Sequence, residues 1–167
     1  MTHLIKPPRH GISEIRLETP IRAPLAACFD LARSVDAHLD SVSASGERAV
    51  AGRTAGLMEL GDSVTWRARH LGIWQNLTVI ITEMEPPHFF ADEMLTGAFR
   101  YMRHEHRFNP ADEGTLMQDR FLFASPCGPI GQLVNRLYLE NYMRRFLCVR
   151  NAWLKQTLEA AAGNGPA

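Results

Sequence analysis

Three cysteines, Cys28, Cys127 and Cys148, are all that the 167-residue chain contains. An odd number without metal-ligand spacing argues against a disulfide framework and points to reduced thiols in a cytoplasmic protein. Excess charge of either sign is also missing, because Lys and Arg total 18 and so do Asp and Glu. No general attraction for nucleic acid or an acidic membrane surface follows, which leaves room only for a local basic patch. The N-terminus, MTHLIKPPRHG, has no apolar signal core, and no apolar run reaches the length of a membrane span, so no integral membrane contact is expected. Repeats, low-complexity tracts and interdomain linkers are absent as well. Gly52-Arg53-Thr54-Ala55-Gly56 lacks the Lys-Ser/Thr ending of a phosphate loop and reads as a turn. Ser125-Pro126-Cys127-Gly128 follows a strand, but its proline makes it a helix lead-in and not a nucleophile elbow, so Cys127 is read as structural.

What is present is 46% hydrophobic residues, enough for one core and a cavity. Punctuation divides the chain into a flexible leader over 1–11, a single domain over 12–162 and a tail over 163–167. The domain is organised around a predicted helix from Ile130 to Glu159, roughly 45 Å long at about 1.5 Å per residue. Its apolar stripe runs through Ile130, Val134, Tyr138, Tyr142, Phe146, Val149 and Trp153, widened by Leu133, Leu137, Leu139, Met143, Leu147 and Leu154. Gln132, Arg136, Glu140, Arg144, Asn151, Lys155 and Glu159 form the opposite, polar spine. Cys148 is taken as a packing residue.

Upstream, Ile15, Leu17 and Ile21 alternate with Glu14, Arg16 and Glu18 as a first strand, and Ala23-Pro24 opens a short helix. A second short helix is expected over Ser34 to Leu39. Short strands are placed near Glu47 to Ala51 and Leu57 to Leu60. Val64, Trp66 and Ala68 alternate on another strand, which turns through His70-Leu71-Gly72 into Ile73 to Met84. Phe89 to Met94, Phe99 to Phe108 and Thr115 to Ala124 complete the run, with Asn109 to Gly114 as a loop. The order predicts an α+β domain in which an antiparallel sheet curves over the long helix, with two short helices near the N-terminus. Such a sheet and helix enclose a space suited to an apolar ligand.

This order of elements resembles the START-like (SRPBCC) superfamily and its helix-grip fold. Within it, Gly61-Asp62-Ser63-Val64-Thr65-Trp66, His70-Leu71-Gly72-Ile73, Glu85-Pro86-Pro87-His88-Phe89-Phe90-Ala91-Asp92, Gly97-Ala98-Phe99, His104-Glu105-His106-Arg107-Phe108, Gly114-Thr115-Leu116-Met117-Gln118-Asp119 and Ser125-Pro126-Cys127-Gly128 are similar to a bacterial polyketide cyclase/dehydrase-like subgroup. The resemblance spans nearly the whole domain. It implies the fold and the cavity, and assigns no catalytic residue.

Strand parity supplies the candidate site. Arg100, Met102, His104, His106 and Phe108 share one face of their strand, and Thr115, Met117, Asp119, Phe121 and Phe123 share one face of the next. Pairing Phe108 with Thr115 sets His106 opposite Met117 and His104 opposite Asp119. The expected ligand-binding set is Trp66, His70, Met102, His104, His106, Met117, Asp119, Phe121, Tyr142 and Phe146. Orientation of a ligand's polar end by this cluster is favoured over acid/base catalysis by His104, His106 and Asp119, and over metal binding, so no metal or cofactor is expected. Arg150 is read as snorkelling to the edge, the alternative being an inward pairing with Asp119 or Asp92.

Three functions remain open. One is binding of a hydrophobic small molecule, such as a lipid, quinone or polyketide. Another is a cyclase- or dehydratase-type enzyme, and the third is a surface-acting interaction protein. Oligomeric state has no signature in the sequence.

Overall fold

The computed structural model describes residues 4–70, 72–125 and 138–163, and of His70 only the backbone. Strand β1, Ser13–Ile21, turns Ile15 and Ile21 into the core while Glu14, Arg16 and Glu18 face water, the alternation expected of a half-buried strand. Helix α1, Leu25–Ala32, starts after Pro24 and buries Cys28, Phe29 and Ala32. Helix α2, Val35–Ser41, is capped by Ser34, whose Oγ accepts a hydrogen bond from the Ala37 amide at 3.2 Å. After a 3₁₀ turn at Ser43–Ser45 come β2 (Arg48–Gly52), β3 (Ser63–His70), β4 (Ile73–Glu85), β5 (Phe89–Thr96), β6 (Tyr101–Ala111) and β7 (Gly114–Ala124). Helix α3, Glu140–Gly163, follows.

The seven strands form one curved antiparallel sheet in the order β1-β7-β6-β5-β4-β3-β2. Strands β2 to β7 are each beside their sequence neighbour, and β1 closes the far edge against β7. The expected α+β architecture is what the chain adopts, with α3 packed over the sheet.

Several boundaries differ from the sequence reading. No strand covers Leu57 to Leu60; Leu57 makes one isolated bridge to Ser34. Strand β6 begins at Tyr101, not Phe99, and continues through Asn109, Pro110 and Ala111 to a two-residue turn at Asp112-Glu113. Pairing therefore starts at Ala111 with Gly114, which sets Phe108 opposite Met117, His106 opposite Asp119 and His104 opposite Phe121. Gly114 makes the tight turn possible: its φ is +141°, and a Cβ there would lie 2.3 Å from the Ile21 carbonyl oxygen. The register is thus displaced by two residues from the expected one, and a displacement of two leaves every side chain on its predicted face.

On α3 the buried residues are Leu147, Arg150, Asn151, Leu154 and Leu158. Val149, assigned to the buried stripe, is 61% exposed, and Tyr138 is 50% exposed. Asn151, assigned to the polar spine, is buried, and Cys148 is exposed. The helix is turned by about one position, roughly 100°, from the expected face. The cause is chemical: Asp119 and Thr19 on the sheet satisfy Asn151, and the Ala32 carbonyl of α1 and Asn151 itself satisfy Arg150, so these two pack inward in place of larger apolar neighbours. The expected helical start at 130–137, Cys127 with its lead-in, and most of the tail lie outside the described residues.

Candidate functional site

The concave face of the sheet, α1, α2 and α3 enclose a cavity of about 350 Å³. Its wall is largely apolar, with Val64 and Ala68 from β3, Val79 and Ile81 from β4, Phe90 from β5, Met102 from β6, Phe121 from β7 and Met143 and Leu147 from α3. Of the predicted ligand-binding residues, Trp66, Met102, His104, His106, Phe121, Tyr142 and Phe146 line it. Met117 and Asp119 do not; both lie behind the wall, fully or almost fully buried. The His70 side chain lies outside the described residues.

At one end the apolar wall gives way to a polar cluster. Asp119 is its centre. Its Oδ1 accepts a hydrogen bond from His104 Nε2 at 3.0 Å, and its Oδ2 accepts one from Asn151 Nδ2 at 2.6 Å. His106 Nδ1 lies 2.8 Å from the same Oδ1 but out of line for a hydrogen bond, so that contact is electrostatic. The other His106 nitrogen, Nε2, faces Asp92 Oδ1 at 3.4 Å. His104 therefore meets Asp119 diagonally across the β6–β7 pair, through a register other than the expected one. The rings are fixed by packing: His106 stacks on Phe90 with centroids 4.2 Å apart, and His104 meets the edge of Phe121 at 5.2 Å.

Arg150 reaches the cluster from α3 and is 5% exposed. Its Nη2 donates to the Ala32 carbonyl at 2.9 Å, its Nη1 to Asn151 Oδ1 at 3.3 Å, and Nη1 stands 3.9 Å from Asp119. The snorkelling reading is thus corrected, because a backbone carbonyl and two inward-facing carboxylates hold the guanidinium inside.

Charge and burial pull the titrating groups apart. Burial, then the neighbouring His106, lowers the His104 pKa to about 4, against the opposing pull of Asp119. Burial also disfavours a charged His106, but carboxylates at both of its nitrogens outweigh that cost and raise its pKa. The same partners overcome burial at Asp92 and Asp119 and hold both below the usual carboxylate range, Asp119 well below it. These directions favour two carboxylates balanced by Arg150 and a protonated His106, with His104 neutral. A buried polar group with no net charge is the arrangement that burial favours.

The predicted ligand-binding set leaves out Asp92, Arg150, His38 and Glu47, all of which line the wall. Asp92 has a signal, since it alternates in phase with Phe90 and Met94 on β5. Arg150 lies beside the apolar stripe, but that position alone favours the outward reading. His38 and Glu47 have no periodic signal, lying at the edges of the Ser/Gly-rich stretch. They pair at 2.6 Å, and the His38 ring stacks on Trp66 at 4.1 Å, forming a second polar point on the cavity wall. Among possible ligating groups, one donor atom each from Asp92, His104 and His106 lies within 4.8 Å of the others.

No protein-family model matches the chain, and comparison with curated proteins finds no match. Solved structures do match. The protein TTHA0849 of Thermus thermophilus is 18% identical with a TM-score of 0.72, covering 89% of this chain and 99% of its own. The Zhui aromatase/cyclase from Streptomyces sp. R1128 is 14% identical with a TM-score of 0.74, covering 93% and 99%. The di-domain aromatase/cyclase StfQ of the steffimycin biosynthetic pathway is 13% identical with a TM-score of 0.70, covering 91% of this chain and 52% of that one. At these identities the likeness establishes architecture and leaves activity to the site itself. The chain has the START-like helix-grip fold shared with polyketide aromatase/cyclases.

Proposed function

We propose that this protein binds a hydrophobic small molecule, lipid-, quinone- or polyketide-like, in the cavity between sheet and α3, with the ligand's polar end at the His104–Arg150 cluster. The observation that carries the reading is an apolar cavity of about 350 Å³ with converging polar groups at one end. That volume falls within the range of about 300–1,000 Å³ usual for small-molecule sites. The two aromatase/cyclases named above act within the same architecture, which supports a ligand of that general character.

Chemistry narrows the polar end. His104 gives its Nε2–H to Asp119, so its Nδ1 is left as an acceptor, and Asp92 is another. Arg150 supplies donors. A ligand carrying hydroxyl and carbonyl oxygens would use both kinds of partner. Orientation is favoured over proton transfer, because a histidine with a pKa of about 4 is a weak base near neutrality. His106 is already held between two carboxylates.

Native mass spectrometry of freshly purified protein tests the reading. A co-purifying apolar molecule, lost on denaturation and excluded by a substitution that fills the cavity, is the expected result. Protein that emerges empty and neither binds nor is stabilised by any member of a lipid, quinone and polyphenol panel would overturn it.

A further inference from the structure

We propose that Asp92, His104 and His106 form a site for a divalent transition-metal ion whose open coordination position faces the apolar cavity. All three residues line the cavity, and their donor atoms lie within 4.8 Å of one another. Two imidazoles and one carboxylate suit zinc, iron(II), cobalt(II) or nickel(II), and among the described residues no thiolate joins this donor set to favour copper(I). Three protein donors with one position left open is the pattern of a reactive metal site, whereas a purely structural ion is closed by four.

The arrangement behind the donors supplies the second argument. Histidines that hold a metal through one nitrogen commonly give the other N–H to a carboxylate, which fixes the ring and its tautomer. Asp119 does this for His104, whose Nε2 lies 3.0 Å away, and it stands 2.8 Å from His106 Nδ1 as a charge contact, out of line for a hydrogen bond. His104 Nδ1 and His106 Nε2 are the nitrogens left over. Asn151 holds the far oxygen of Asp119 at 2.6 Å, so the supporting carboxylate is itself anchored.

His106 Nε2 and Asp92 Oδ1 are 3.4 Å apart, long for a charge-assisted hydrogen bond, which runs at about 2.7–2.9 Å. Two ligands at about 2.0–2.1 Å from a tetrahedral ion stand about 3.4 Å from each other. The charges facing the site are Asp92, Asp119 and Arg150. With a dication held by neutral imidazoles, Asp92, Asp119 and Arg150 leave the group one net positive charge, which an anionic oxygen of a bound molecule would neutralise. What fills the open position rests on the ligand-binding reading above; the ion does not.

The test uses untagged, chelator-stripped full-length protein titrated with Co²⁺, followed by calorimetry and visible absorption. One equivalent should bind with the intense bands of a four- or five-coordinate ion. Asp92→Asn and His104→Gln should each weaken binding at least tenfold, Asp119→Asn about tenfold to a hundredfold, and His10→Ala, exposed and not part of the cavity wall, not at all. Should a variant fail to fold, histidine ring resonances of the unaltered protein give the answer directly, since Co²⁺ must shift those of His104 and His106 first. Absence of one saturable equivalent, or ring shifts confined to other histidines, would overturn the site. Binding of an apolar fluorescent probe, measured without metal, reports separately on the cavity.

Discussion

Asp119 carries more of the buried cluster than any other side chain, because it answers His104, Asn151 and the positive charges of His106 and Arg150 together. Asp119→Ala leaves two buried cations short of a partner, and breaking a buried pair in this way costs about 3–5 kcal/mol. Urea denaturation should show that loss in full, and a smaller one for Asp119→Asn. The two histidines give opposite pH dependences in metal-free protein. His104 has a folded pKa of about 4 against an unfolded value of 6.5, so the unfolded chain takes its proton first and stability falls as pH drops through that interval. His106 has a raised pKa, so its contribution is full below 6.5 and is lost as pH rises through the folded value. Melting temperature should therefore peak between these limbs. His104→Gln should flatten the acid limb and His106→Gln the alkaline one; an unchanged profile in both would show that neither proton is linked to folding.

At the scale of the element, α3 and the β6–β7 hairpin show what is legible in the sequence and what is not. Alternation along a strand is a local property, so the shared face of His104, His106, Asp119 and Phe121 can be read directly. Register depends on turn length, and Pro110 suggests an early end to a strand that in fact runs on to Ala111. The helix face is misread because hydrophobicity ranks Val149 above Arg150 and Asn151. Only the position of Asp119 and the Ala32 carbonyl explains why the polar pair is inside. Leu154→Ala, at 2% exposure, should cost about 2–5 kcal/mol, while Val149→Ala should be within about 0.5 kcal/mol of neutral. Thermal or chemical denaturation decides between the two faces, since the stripe inferred from hydrophobicity makes Val149 a buried position with a cost of its own.

For the whole molecule, the cavity is space that packing has left unfilled, and filling it separates stability from binding. Ala68 lies on the wall from β3 and is 3% exposed. Ala68→Phe projects a ring into the space, so the protein should keep or gain stability while apolar probe binding falls at least tenfold, measured by fluorescence titration. Retained probe binding would place the ligand elsewhere. Among the described residues no helix is long and apolar enough to cross a membrane.

The order of strands also has a bearing on how the chain reaches this state. Strands β2 to β7 can zip as consecutive hairpins while the polypeptide is still emerging, each closing only a short loop. Strand β1 cannot, because its neighbour is the last strand made: Glu14 and Arg120, bonded across that seam, are 106 residues apart in sequence. Throughout synthesis the first strand waits with its backbone unpaired, a template for any passing edge, until the seam is closed. Pulse-labelled hydrogen exchange during refolding should find the amides of β3 to β6 protected early and those of β1 last. The seam that completes the sheet is thus also the step at which a half-made chain is most exposed to aggregation.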